Sequence, residues 1–211
     1  EPAALEAAFR RAASDADAII TSGGVSMGEA DHTKAMMKQL GDVAFWRIAM
    51  RPGRPMAVGK ISRDVAATER LTAGPPQRES APSGGNAPRE ADSGGAILFG
   101  LPGNPVAVMV TFLAFVRPAL LRMMGCQACE PILLKARSAE VMRKKPGRTE
   151  YQRDILSRDP DGMLHVRTTG NQGSGVLRSM VEANGLIVLH HGQGGVAVGD
   201  EVDVMMFDGG I

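Results

Sequence analysis

Aromatic residues are scarce in this chain: one Trp, one Tyr and six Phe among 211 residues. Proteins that hold single-stranded nucleic acid stack bases on closely spaced aromatic faces, so that class of ligand is not expected. A surplus of either charge is also lacking. Twenty-four Lys and Arg stand against 23 Asp and Glu, a net charge of +1. A phosphate backbone or an anionic membrane surface calls for a larger basic excess. Cysteine occurs only twice, in Cys126-Gln127-Ala128-Cys129. Zinc requires about four ligands, and no second Cys pair accompanies this one. His32, His165, His190 and His191 show no ligand spacing either. The pair follows a helical pattern instead of opening one, unlike a thioredoxin-like motif. Two free thiols in a reducing compartment are therefore expected. No apolar run reads as a membrane span, no secretory signal pattern is present and no internal period repeats. The expected location is cytoplasmic. Residue 1 is Glu and a helical pattern is under way by Leu5, so the chain reads as a fragment that starts inside a fold.

What is present is an ordinary apolar content, 44%, ample for one or two domains. The most informative stretch is Thr21-Ser22-Gly23-Gly24-Val25-Ser26-Met27-Gly28-Glu29-Ala30-Asp31-His32-Thr33-Lys34. It follows the apolar run Ala18-Ile19-Ile20 and precedes a helical pattern carrying Met36, Met37 and Leu40, stopped by Gly41. A glycine-rich turn between strand and helix lets backbone N–H groups approach an anion at a helix N-terminus. It is also a common tight turn, and periodicity alone does not choose between the two. Asp31 and Lys34 stand one turn apart on the helix and can face one ligand.

Strand and helix alternate through the first part, as in an α/β domain. A helix is expected over 5–13, strands over 17–21, 43–50, 55–60 and 96–101, and a helix over 31–40. Asn104-Pro105 then opens a long apolar helix through Met124, with Asn as cap, Pro at the first helical position and Gly125 as the stop. Residues 62–95 hold Gly74-Pro75-Pro76 and Ser93-Gly94-Gly95 and almost no large apolar side chain. They read as a disordered surface insertion, or as a lid. After Gly125 the pattern turns all-β, with strands over 132–141, 149–157, 163–169, 186–189 and 201–207. Asp159-Pro160-Asp161-Gly162 gives a hairpin turn, and a short helix-like turn falls near 176–181. The expectation is an α/β domain with a mostly parallel sheet over 1–126 and a barrel-like all-β domain over 130–211.

Five motifs stand in order along nearly the whole chain. The first is Ile20 to Lys34, as above. Next come Phe45-Trp46-Arg47-Ile48-Ala49-Met50-Arg51-Pro52-Gly53-Arg54-Pro55 and Gly100-Leu101-Pro102-Gly103-Asn104-Pro105-Val106. The last two are Pro146-Gly147-Arg148-Thr149-Glu150-Tyr151-Gln152-Arg153 and Thr168-Thr169-Gly170-Asn171-Gln172-Gly173-Ser174. Together they resemble the C-terminal half of the MoeA family of molybdopterin molybdenumtransferases, which includes the gephyrin E domain. The resemblance implies a molybdopterin-binding α/β domain followed by a β-barrel-like domain. It also implies insertion of molybdate into adenylylated molybdopterin with Mg²⁺ or another divalent metal, and a homodimer in the full-length protein. Nucleic acid and membrane are not implied as partners. The chain departs from the family in lacking its N-terminal regions, in carrying Arg47 and Arg51 where many members have Lys, and in the length of the 62–95 insertion.

The resemblance assigns roles residue by residue. Asp31 becomes the catalytic and metal-holding carboxylate, although an acidic residue in a first helical turn also simply favours the dipole. Ser22, Gly23, Gly24, Ser26 and Lys34 would bind the pterin substrate, with Pro102, Gly103, Asn104 and Pro105 shaping its pocket. Arg47, Arg51, Arg54, Arg153 and Ser174 would hold molybdate or phosphate, since guanidinium groups bind oxyanions through paired N–H donors. Arg47 and Arg51, four residues apart, are expected on one strand face; Arg54 reads equally as a turn residue, and Arg153 equally as a surface side chain. Two alternatives remain: a nucleotide-processing enzyme of the competence-damage type, which is not expected to carry the β domain, and a non-catalytic gephyrin-like scaffold. The apolar circumference of the long helix fits either a core helix covered on two sides or a subunit contact.

Overall fold

The computed structural model describes residues 2–25, 31–63, 94–173 and 175–207. Packing divides the chain into two compact units, one formed by residues 1–46 and 56–100, the other by 47–55 and 101–211.

The first unit holds α1 (Pro2–Asp15), β1 (Ala18–Ser22), α2 (Asp31–Leu40) and β2 (Gly41–Arg47). After the short β3 (Met50–Arg51) of the second unit, β4 (Pro55–Ser62) and β5 (Gly95–Leu101) complete its sheet, in the order β1-β5-β4-β2. The α/β class holds, and the sheet is mixed: β4 runs antiparallel to β5, with Ala57 opposite Gly100 and Ser62 opposite Gly95. Antiparallel neighbours need no crossover connection of the kind that parallel strands require. Arg63 N donates to Gly94 O at 3.1 Å where it begins and ends; the insertion expected over 62–95 otherwise lies outside the described residues. The periodic Met36, Met37 and Leu40 of α2 are buried beside Phe9, Ile19, Val43, Ile61 and Leu98.

The second unit begins where the chain leaves β2. A single strand over 43–50 is not what forms: β2 stops at Arg47, and β3 pairs in parallel with β7 (Thr149–Arg158), Met50 opposite Thr149. Ile48 N donates to Arg54 O and Met50 N to Ile48 O, both at 2.8 Å, which folds the segment back on itself. Then come α3 (Pro105–Met123) and β6 (Leu133–Ser138), with β8 (Leu164–Thr168), α4 (Arg178–Glu182), β9 (Gly185–Leu189) and β10 (Glu201–Met206) after β7. The order β7-β8-β6-β10-β9 closes through a β9–β7 pairing, giving the expected barrel, of five strands. Closure leaves none of these five with an open edge on both sides. Ala136, Val166, Ile187, Leu189, Val202 and Val204 fill one core. Val106 and Val110 of α3 pack with Met50, Met180, Leu186, Val188 and Met205 in another.

Asn104 caps α3, its Oδ1 accepting from Ala107 N at 3.2 Å, with Pro105 next. Residues Phe112–Val116 form one π-helical turn ahead of Pro118. Pro118 has no N–H and its ring crowds the carbonyl four residues back, so widening the helix there relieves the clash. By length and composition α3 is apolar enough to cross a membrane, which corrects the expectation that no run reaches that length. Its stripe of Val106, Val110, Thr111 and Val116 is fully buried in this unit, as in a core helix.

Candidate functional site

In the first unit β1 delivers Ser22, exposed, into the Gly23-Gly24 turn. Both glycines have left-handed φ, +90° and +73°. A Cβ on Gly24 would lie 2.8 Å from Thr33 Cγ2, so the turn rests directly on the first turn of α2. Only glycine meets both demands. Lys34 is half-buried, its Nζ 5.9 Å from the Phe45 ring centroid, and Lys38 lies over the same ring at 5.9 Å. The Phe45 ring thus attracts both ammonium groups, one from the first turn of α2 and one from the last. Ser26 and the side chain of Asp31, whose backbone opens α2, lie outside the described residues. No three of His, Cys, Asp and Glu come together among the described residues as a metal ion would need. They therefore do not by themselves form a divalent-cation site.

In the second unit Arg47 and Arg51 do not share a strand face, because the chain folds back between them: Arg47 ends β2 and Arg51 lies on β3. Arg51 and Arg54 are exposed at the two ends of the Pro52-Gly53 turn. Arg153 is not a surface side chain: it is 1% exposed. Its Nε donates to Ser179 Oγ at 3.0 Å, and its Nη2 to the carbonyls of Asn171 at 3.3 Å and Gly173 at 3.0 Å. The loop is bound in return, Gln172 Oε1 accepting from Arg153 N at 2.8 Å and Gln172 Nε2 donating to Arg153 O at 3.0 Å. Burial, and then the neighbouring Arg51 guanidinium, depress the Arg153 pKa. The pairing of β3 with β7 sets Arg51 opposite Glu150, beside the strand that carries Arg153. Ser174, next along this loop, lies outside the described residues. Pro102 is buried, Gly103 exposed and Asn104 engaged in its cap.

Sequence reasoning assigned no part to Ser179, Asn171 or Gln172, which hold Arg153. The Gly170-Asn171-Gln172-Gly173 run was the available signal, since polar residues between glycines favour a loop built on side-chain hydrogen bonds. It also passed over Asp154. That carboxyl is fully buried, neither oxygen has a hydrogen-bond partner among the described residues, and burial pushes its pKa up to about 8. The two cysteines are free thiols, as expected, with Cys129 Sγ 3.0 Å from Cys126 O.

Two family models match the chain. Residues 1–122 match the one described as "Probable molybdopterin binding domain", and residues 135–207 the MoeA C-terminal region, domain IV. The molybdopterin molybdenumtransferase of Haemophilus influenzae is 35% identical over 98% of this chain and 43% of its own length. That of Nostoc is 31% identical over 97% of this chain and 41% of its own, and gephyrin of Dictyostelium discoideum 31% over 90% and 25%. The chain thus spans about two fifths of the length of the two molybdenumtransferases. Among solved structures, a molybdenum cofactor biosynthesis protein of Pyrococcus furiosus superposes with a TM-score of 0.61 at 22% identity, covering 96% of this chain and 54% of that one. The MoeA protein of Pyrococcus horikoshii gives 0.62 at 19% identity, covering 98% and 39%. These two speak to the fold alone. With both domains matched in order, the chain belongs to the MoeA family, of which it carries the molybdopterin-binding domain and the C-terminal domain.

Proposed function

We propose that the full-length protein inserts molybdate into adenylylated molybdopterin, and that this chain supplies two parts of the machinery. The observation that carries the reading is the arginine pair of the second unit. Arg153 is immobilised by three hydrogen bonds and lies near enough to Arg51 to be disfavoured by it. A tetrahedral oxyanion such as molybdate relieves that repulsion and accepts from Arg51, with Ser174 and Arg47 as further donors and Arg54 at the turn. Fixed donors of this kind also favour charge that develops during oxygen transfer or phosphoanhydride cleavage. The Ser22-Gly23-Gly24 turn, Ser26 and Lys34 bind the pterin phosphate in this reading, and the Pro102 to Pro105 turn shapes the pocket. Asp31 contributes a carboxylate to Mg²⁺ whose other ligands come from the rest of a protein of the relatives' size. A cytoplasmic homodimer completes the proposal. The β barrel is the feature that separates this reading from the competence-damage type of enzyme.

Isothermal titration of the full-length protein tests it. Molybdopterin-AMP is expected to bind, Asp31→Ala to lose turnover, and Arg51→Ala to weaken molybdate by roughly tenfold, the loss of one charge-assisted pair. Absence of molybdopterin-AMP binding, or wild-type turnover by Asp31→Ala, overturns it.

A further inference from the structure

The cysteine pair is a chemistry-bearing motif that the proposed function leaves unused, and the fold treats its two members differently. The helix α3 ends in a Schellman turn. Gly125 takes φ +91°, its N donates to Arg122 O at 3.0 Å, and Cys126 N donates to Leu121 O at 3.0 Å. Both bonds satisfy carbonyls that the last turn of a helix leaves open. They also fix the backbone of Cys126, while its side chain stays exposed. The chain then bends at Gln127. Arg122 Nη1 donates to Gln127 O and Gln127 Nε2 to Gly125 O, both at 3.4 Å, so the bend is tied to the helix it leaves. Beyond the bend Cys129 is half-buried and lines a cavity of about 400 Å³ with Leu121 of α3 and Met206 of β10.

The bend turns Cys129 back on Cys126. Its Sγ lies 3.0 Å from Cys126 O, to which the thiol donates a weak hydrogen bond. A cystine needs Cα atoms about 4.4–6.8 Å apart, and a sulfur already at the Cys126 carbonyl needs little backbone movement to meet that demand. Rotation of the exposed Cys126 side chain about χ1 supplies the rest. In a flexible chain, closing the loop costs conformational entropy. Here the Schellman turn and the two bonds at the bend have already restricted the chain to a closed form. An exposed thiol beside a second, less accessible one is also the arrangement of redox-sensing dithiols, one to react and one to resolve. In a reducing compartment such bonds are transient.

We propose that Cys126 and Cys129 form a reversible disulfide by exchange with small disulfides such as glutathione disulfide. The Cys126 thiolate attacks one sulfur of glutathione disulfide and expels one glutathione thiolate. The Cys129 thiolate then attacks the Cys126 sulfur of the mixed disulfide and expels the second. The two thiol protons end on the two glutathiones; the protein is oxidised by two electrons and glutathione disulfide is reduced by two. The inference goes beyond the proposed function and does not depend on it, since neither cysteine belongs to the arginine pair, the glycine turn or the Asp31 site. The test equilibrates this chain with mixtures of glutathione and its disulfide, followed by alkylation, trypsin digestion and mass mapping. The peptide 123–135 is expected to lose two hydrogen atoms and to regain them with dithiothreitol. The equilibrium constant for the bond is expected to be roughly tenfold or more larger in the folded chain than in the isolated 123–135 peptide. Folding and oxidation close one thermodynamic cycle, so the oxidised chain should resist urea better by the same factor. Cys129→Ser keeps the exposed thiol and is expected to accumulate the mixed disulfide at Cys126. Cys126→Ser keeps the half-buried one and is expected to react roughly tenfold more slowly, for want of access. An equilibrium constant no larger in the folded chain than in the peptide, mixed disulfides in place of the internal bond, or equal rates for the two single variants overturns the inference.

Discussion

Asp154 and Arg153 are neighbours on β7 and are both fully buried, yet they have opposite fates. A guanidinium has five donors to place, and the 171–173 loop and Ser179 supply three acceptors, so Arg153 stays charged at a depressed pKa. Neither oxygen of Asp154 accepts a hydrogen bond among the described residues, so burial wins and keeps it protonated up to about pH 8. Gly185, opposite it on β9, leaves room: a Cβ there would lie 3.1 Å from Asp154 Oδ1. The consequence for stability follows from proton counts. Between the ordinary carboxyl pKa of 3.8 and about 8 the unfolded chain releases a proton that the folded chain keeps. Stability therefore falls as pH rises through that window, at up to about 1.4 kcal/mol per pH unit, and levels off above it. Asp154→Asn removes the titration and is expected to flatten this part of the profile, whatever its effect on absolute stability. Urea denaturation at pH 5 and pH 8 checks it, and a variant that keeps the wild-type slope rules the assignment out.

At the scale of elements, the turn after β3 and the middle of α3 are fitted to each other. Gly53 has φ +96° and its missing Cβ points at Thr111 Oγ1, which donates to Ala107 O at 2.7 Å inside α3. Gly53→Ala combines a strained φ with a collision against a buried helix, and is expected to cost more than about 2 kcal/mol. Adding Thr111→Ala removes the collision but not the strain, so about half of the loss should return. Thermal denaturation of the single and double variants decides; a Gly53→Ala protein as stable as wild type contradicts the fit. Because the same turn carries Arg51 and Arg54, its rigidity also places their charges. The sequence indicated a Pro-Gly turn flanked by arginines. It did not indicate that β3 leaves the sheet of β2 to join β7, because the hydrophobic alternation runs on through Ile48 and Met50 into a different core.

For the whole molecule, α3 is the element whose exposed face invites a partner. Met109, Phe115 and Met123 are exposed, at 41, 37 and 45%, and Met124, capping its C-terminus, at 78%. That is more apolar surface on one helix than an isolated unit needs to present. The full-length protein is expected to be a homodimer and this chain alone a weak dimer or a monomer. Light scattering of both checks this, and a monodisperse monomeric full-length protein overturns it.

Local signals in the sequence carry most of the fold. Gly41 ends α2, Asn104-Pro105 opens α3, and Asp159-Pro160-Asp161-Gly162 lies between β7 and β8. Each is fixed by the φ/ψ demands and capping chemistry of a few adjacent residues, as is the left-handed Gly23-Gly24 turn. The ordered motifs likewise fixed the family. Tertiary structure alone decided three other matters: the barrel closure of β9 onto β7, the burial of Arg153, and the gathering of Arg51 with Arg143, Lys145 and Arg148 around one groove. These depend on contacts between residues far apart in the chain. A side chain's cost or use there is set by which donors, acceptors and charges the fold brings to it, and no local pattern of residues encodes that.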